Sequence, residues 1–211
     1  GITANPSAAE KFGLVPENIF PFWDWVGGRF SVWSAVGLPI AIKFGFKTFQ
    51  DFLAGAHAMD LHFKNADPKE NMPLLLALTL IHNQRKHHIK AKAIVPYAHG
   101  LRFLPDWLQQ LEMESHGKRI TIDGRATDPT SPVVFGSSGT NCQHTYFQML
   151  HQGTQIIPVD FIAVKKPMSN LPEAVDHHEL LIANCLAQAQ GLANGSDETS
   201  AYDSCPGGRP S

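Results

Sequence analysis

From Phe49 onward the apolar residues Phe52, Ala56, Met59 and Phe63 recur at steps of three and four, a spacing that gathers them on one face of a helix. Asn65-Ala66-Asp67-Pro68 interrupts that pattern. From Asn71 to about Asn83 the chain is apolar on nearly every side, which predicts a second helix, deeply buried. Downstream the period changes. Ala91-Lys92-Ala93-Ile94-Val95 before Pro96, Pro132-Val133-Val134-Phe135 before Gly136, and 155–162 after Gly153 are short apolar runs punctuated by proline or glycine, the pattern of buried strands. Helix-like runs occupy 101–113 and 141–151 between them, and another spans 176–190. Strand and helix in alternation predict an α/β fold, a three-layer αβα sandwich on a mainly parallel sheet. Residues 1–70 are expected to finish one domain and its connecting helices, and 71–211 to form a second. Gly1-Ile2-Thr3-Ala4-Asn5 reads as the end of a strand, and 191–211, rich in Gly, Ser, Asp and Pro, as a loop.

Composition narrows the function classes. Of 211 residues 43% are hydrophobic and 17% charged, an ordinary globular balance rather than that of a disordered chain. Seventeen basic against nineteen acidic residues leave a formal net charge of -2, so no global positive field draws the chain to nucleic acid or anionic lipid. Any anion has to be bound locally. The longest apolar stretch, Met72 to Ile81, is about half of the roughly 20 residues a spanning helix needs, and no signal-peptide pattern is legible. Neither a membrane nor a nucleic-acid partner is expected. Cys142, Cys185 and Cys205 cannot all pair within the chain and show no C-x-x-C spacing, which favours free thiols in a reducing compartment, the cytoplasm.

Three segments carry candidate chemistry. In 24–31, D-W-V-G-G-R-F-S, Gly27 and Gly28 let backbone approach a ligand before a helix opened by Ser31, and Arg29 offers a cation; a plain turn with Arg29 paired to Asp24 is the alternative. In 109–118, Q-Q-L-E-M-E-S-H-G-K, Gly117 is expected to end a helix in the left-handed conformation, leaving Glu114 at the negative pole with Gln110 on the same face. A carboxylate there is pushed toward the pKa range of a general base; a solvated helix end is the alternative. In 137–144, S-S-G-T-N-C-Q-H, Thr140 or Asn141 caps a helix running to His151, which puts His144 in the first turn, where the dipole keeps an imidazole neutral. Cys142 and His144, two apart, point to different sides and do not suggest a nucleophilic pair. The histidines at 82, 87, 88, 177 and 178 lack zinc-ligand spacing, and neither G-x-G-x-x-G nor G-x-x-x-x-G-K-[ST] is present.

Taken in this order, the three segments resemble the glucose-6-phosphate isomerase family. Residues 24–37, D-W-V-G-G-R-F-S-V-W-S-A-V-G, are similar along their whole length to the family's first signature, and M-E-S-H-G-K at 113–118 and G-T-N-C-Q-H at 139–144 are similar to its M-E-S-N-G-K and G-T-N-G-Q-H. Leu150-His151-Gln152-Gly153-Thr154 continues the second match. The resemblance runs from Thr3 to Ser211 and corresponds to the middle of a family chain more than twice as long. It implies two sugar-isomerase (SIS) domains of flavodoxin-like type, this chain carrying the end of the first and much of the second.

The activity implied is interconversion of glucose 6-phosphate and fructose 6-phosphate through an enediol(ate), a step of glycolysis and gluconeogenesis, with neither a metal nor an organic cofactor. By the same resemblance Glu114 moves the proton between C1 and C2 and Arg29 stabilises the enediolate oxygen. His144 passes a proton at the ring oxygen from the neighbouring subunit of a homodimer, Gln110 reaches phosphate or sugar, and Gly28 lies against the substrate. A base of raised pKa, a neutral imidazole and a fixed cation are what an aldose–ketose proton shift requires. His116 and Cys142 stand where the family has asparagine and glycine. The family's S-K-x-x-x-T phosphate loop is expected before Gly1 and its F-D-Q-x-G-V-E-x-x-K segment after Ser211, so these residues alone are expected to be inactive. Two rival readings are a non-catalytic sugar-phosphate-binding module and an isomerase that also accepts mannose 6-phosphate; the set Arg29, Glu114 and His144 exceeds what binding alone requires.

Overall fold

The computed structural model describes residues 1–195; Cys205 and most of the stretch read as a loop at 191–211 lie outside the described residues. The chain forms two compact units, Gly1–Ile81 and the part from His82 onward.

In the first unit, β1 (Ile2–Thr3) pairs in parallel with β2 (Phe20–Pro21). Between them lies α1 (Pro6–Lys11), whose first turn is capped by the Asn5 side chain accepting from the Ala8 amide at 3.1 Å. Two 3₁₀ turns, Gly28–Trp33 and Ala35–Gly37, lead into α2 (Leu38–Phe44) and the 20-residue α3 (Phe46–Asn65). Gly37 is needed for close approach, because a Cβ there would lie 2.5 Å from both the Phe49 ring and the Val32 carbonyl oxygen. Phe49 is buried and Trp33 stacks on Phe52 at 4.8 Å. α3 ends where the sequence breaks its pattern. Asn71 then starts α4 (Met72–Lys86): its amide donates to the Phe63 carbonyl at 2.8 Å and its oxygen accepts from the Leu74 amide.

The deep burial expected of α4 is not observed. Leu76 is 64% exposed and Leu78 and Ile81 are also open, while Gln84 is the buried residue. A helix apolar all round needs neighbours all round, and the described residues supply them on only part of its circumference. Among the described residues, no helix is long and apolar enough to cross a membrane.

The second unit is built on β3 (Ala91–Tyr97), β4 (Val133–Gly136) and β5 (Val159–Ala163), all parallel in the order β4-β3-β5. β3 runs through Pro96, which the sequence suggested as a stop. The Ala93 amide donates to Pro158 O, toward β5, so by alternation position 96 would present its N–H toward β4. The β4 ladder has already ended at Ile94↔Gly136, and a proline therefore costs no ladder bond there. Pro158 likewise delays β5, whose ladder opens at Ala93↔Val159 rather than at the expected 155.

α5 (Leu104–Leu108) runs into a π-helical segment, Gln109–Glu114, and leads from β3 to β4. α6 (Gly139–Gln143) and α7 (Phe147–Gln152) lead from β4 to β5, and α8 (Ala174–Asn194) follows, longer at both ends than its apolar pattern suggested. The chain steps from β3 to one side and returns past it to the other. Right-handed crossovers then put α5 and the α6–α7 pair on opposite faces, completing the three layers. Ala93, Val95 and Tyr97 face a core with Cys142, Phe147, Leu150 and Cys185. Both cysteines are free and buried, and burial pushes their thiols up.

Lys92 and Ile94 point to the other face, as does Asp160, which is in register with Ile94. Desolvation raises the Asp160 carboxyl above its ordinary value, Lys92 opposes that rise and Glu112 adds to it. With the folded value above the unfolded one, ionisation works against folding as pH climbs through that window. Asp160→Asn is therefore expected to raise the thermal midpoint at neutral pH, the gain shrinking as pH falls below the ordinary carboxylate range. A lower midpoint at neutral pH would mean that the ionised carboxylate is a net stabilising partner of Lys92.

Candidate active site

Gln110 and Glu114 sit on the π-helical segment, and three neighbouring side chains hold that segment to the sheet. Gln109 Nε2 donates to the Val134 carbonyl at 3.1 Å, Lys92 Nζ donates to Glu112 Oε1 at 2.8 Å, and Met113 Sδ accepts from the Val134 amide at 3.3 Å. All three anchors lie at the amino ends of β3 and β4. Gln110 and Glu114 are exposed, and Gln110 Nε2 donates to Glu114 Oε2 at 3.1 Å. The shared face read from the sequence is thus a hydrogen-bonded pair on a widened helical turn, a feature frequent at functional sites.

Beyond Glu114 the turn differs from expectation. The left-handed glycines among the described residues are Gly13, Gly45, Gly124 and Gly195, not Gly117. Gly117 is required for another reason: its amide donates to Met113 O at 2.8 Å, and a Cβ would lie 2.3 Å from that same oxygen. Lys118 Nζ donates to the Glu114 carbonyl, and the His116 carbonyl accepts from the Lys118 amide and the Thr130 hydroxyl. These bonds use the backbone of residue 116, so histidine in place of asparagine leaves the turn intact.

His144 is placed differently from its sequence reading. The run 141–151 is two short helices, with His144 the residue after α6 rather than in the first turn of a long helix. Neither Thr140 nor Asn141 is a cap; Ser138 holds that position and makes no side-chain cap bond. Local backbone bonds and one distant ring contact meet at the break. The amides of Thr145 and Tyr146 both turn back to Cys142 O, and Tyr146 packs edge-on against Phe135 and Phe147. Cys142 is fully buried with its Sγ donating to Gly139 O, so it fills space that a glycine would leave empty.

α6 is set at the far end of the strands. A Cβ on Gly139 would lie 2.4 Å from the Tyr97 ring, and Gln143 Nε2 donates to Tyr97 Oη at 2.6 Å. Tyr97 is the last residue of β3, whereas Lys92 is its second. The five steps between these anchors span roughly 16 Å. The anchors beside Glu114 and His144 thus lie at opposite ends of β3.

Arg29 belongs to the first unit, in the 3₁₀ turn Gly28–Trp33, with its guanidinium 5.5 Å from the Phe30 ring centroid. Ser31 lies inside that turn rather than opening it, bonding back to Gly28 O at 2.6 Å, and Ser34 caps the next turn by accepting from Val36 N. A Cβ on Gly28 would meet nothing within 4 Å among the described residues, so its backbone is open to a ligand.

A cleft of about 440 Å³ lies beyond the carboxyl ends of β3 and β5, lined in part by Tyr97, His99, Met168, His177 and His178. The order β4-β3-β5 makes this the topological switch point of the sheet, yet none of Gln110, Glu114 and His144 lines it. No group of three or more His, Cys, Asp or Glu suited to a metal ion occurs among the described residues. The sequence reading missed Lys92 and Glu112. The signal was a lysine in an otherwise apolar strand, but only the register of the fold supplies its partner.

The close approach at residue 117 gives a direct test. Gly117→Ala is expected to destabilise the chain by about 1–3 kcal/mol, since the clash is with backbone that cannot rotate away. Urea unfolding measures it, and an unchanged midpoint would show that the turn relaxes freely.

The model of the phosphoglucose isomerase family matches residues 1–205. The glucose-6-phosphate isomerase of Polaromonas naphthalenivorans is 50% identical over 211 residues, which is 100% of this chain and 40% of that protein. That of Cupriavidus metallidurans is 50% identical over 195 residues, 92% of this chain and 36% of that one. A crystal structure of a glucose-6-phosphate isomerase from Chlamydia trachomatis superposes with a TM-score of 0.82 at 36% identity, covering 93% of this chain and 43% of that one. The chain thus spans about 40% of the length of the curated relatives it matches, and over that span it belongs to the phosphoglucose isomerase family.

Proposed function

We propose that this chain supplies the proton-transferring part of a glucose-6-phosphate isomerase site, acting on a hexose 6-phosphate through an enediolate without metal or organic cofactor. The observation that carries the reading is the Gln110–Glu114 pair, hydrogen-bonded at 3.1 Å on the exposed side of a π-helical segment whose other side is tied to the sheet. A base for carbon acids needs a fixed direction of approach, and this anchoring provides it.

In this reading Glu114 takes the proton from C2 of the aldose and returns it to C1, or the reverse. Gln110 orients the carboxylate and reaches the sugar phosphate. Arg29, on the open backbone of Gly28, stabilises the oxygen that becomes negative as the enediolate forms. His144 handles the proton at the ring oxygen when the pyranose opens. The anchoring of the two segments at opposite ends of β3 supports a site completed by a second copy of the chain, each copy giving its Glu114 to one site and its His144 to the other. Residue 71, where α4 is capped, is taken as the start of the second SIS domain. The buried free cysteines suit a reducing, cytoplasmic setting.

The test uses a chain completed to the length of its relatives. Glu114→Gln is expected to lower kcat for fructose 6-phosphate by about 10²-fold or more with little change in thermal midpoint, the usual size of a general-base contribution. Near-normal turnover would move the base elsewhere. An unmodified completed chain that binds the sugar phosphate but does not isomerise it would make the protein a binding module.

A further inference from the structure

Lys92 is the second residue of a strand that is otherwise apolar, and neither the family signatures nor the proposed chemistry gives it a task. Its ammonium lies 2.8 Å from Glu112 Oε1, and the two side chains are only 18% and 17% exposed. Asp160 shares their face of the sheet and feels both charges. The lysine thus sits with two carboxylates where water is largely excluded. In such a place removing the cation leaves like charges uncompensated, and removing Glu112 leaves the lysine paired less well.

The pair joins the most constrained element of the second unit to the least regular one. β3 is bonded to a strand on each side, whereas a π-helical turn is a local exception to the α-helical ladder and depends on its surroundings. Of the three anchors on that turn, Gln109 and Met113 are neutral and both meet Val134; Glu112 alone is charged and meets β3. Glu112 lies midway between Gln110 and Glu114, on the side facing the sheet while they face outward.

We propose that Lys92, acting through Glu112, is a positioning residue that fixes the direction in which Glu114 and Gln110 are presented. The claim rests on the reading of Glu114 as base only for its kinetic consequence; its structural half stands independently.

Two readouts separate these halves. In the 211-residue chain, amide hydrogen exchange is followed over 109–117 and, as a reference on the opposite face of the sheet, over α7. Lys92→Met and Glu112→Gln are expected to speed exchange in 109–117 by about 10-fold while leaving 147–152 unchanged, and Lys92→Arg, which keeps the charge, to preserve protection. In the completed chain the first two variants are expected to lower kcat by about 10-fold with KM for fructose 6-phosphate within about twofold, a split that marks loss of transition-state alignment. Unchanged exchange over 109–117, or loss spread equally into α7, overturns the proposal, because the pair would then serve no segment in particular. Altered exchange with unchanged kcat, while Glu114→Gln is inactive, overturns the kinetic half. If Glu114→Gln turns over normally, the base reading fails instead and the exchange result alone decides whether Lys92 positions the turn.

Discussion

Along β3 successive side chains face opposite ways, and the arrangement of the second unit follows from that alternation. Ala93, Val95 and Tyr97 enter the core beneath α6, α7 and α8, while Lys92 on the other face holds the π-helical turn. A strand with parallel neighbours on both sides has its register fixed by both ladders, and slipping it by one residue would exchange lysine for core alanine. The apolar face therefore protects the polar one: the hydrophobic burial that stabilises the sheet also decides where the single cation of β3 points.

The second consequence concerns the two ends of a parallel strand. Glu114 is tied to the amino ends through its neighbours at 109, 112 and 113, and His144 follows a helix packed on Tyr97 at the carboxyl end. The two groups therefore follow anchors at opposite ends and on opposite faces of β3. Where both are needed for one proton shift, as proposed here, a second copy brings the missing end.

Much of this was legible in the sequence, for reasons that differ from element to element. The strands and the α3 break could be read because alternation, glycine and proline act locally. Arg29, Glu114 and His144 stood out because their segments are similar to family signatures, which a period cannot reveal. What could not be read depends on contacts distant in sequence. Pro96 looked like a stop because its tolerance depends on β4 having ended beside it. At the break after His144, Tyr146 packs against the distant Phe135, and Gly117 is explained by a carbonyl four residues back rather than by a left-handed turn. The burial predicted for α4 presupposed neighbours that the described residues do not supply. The Lys92–Glu112 pair spans 20 residues and is invisible until β3 and the π-helical turn are brought side by side.

Subunit complementation decides whether one site draws Glu114 from one copy and His144 from another. Glu114→Gln and His144→Gln variants of a completed chain are prepared separately, each nearly inactive, then unfolded together and refolded as a mixture. If the residues belong to different copies in one site, each hybrid dimer regains one intact site, and with random pairing the mixture recovers about a quarter of the unmodified activity. A mixture no more active than its two parents would contradict the account and place both residues in a site made by a single copy.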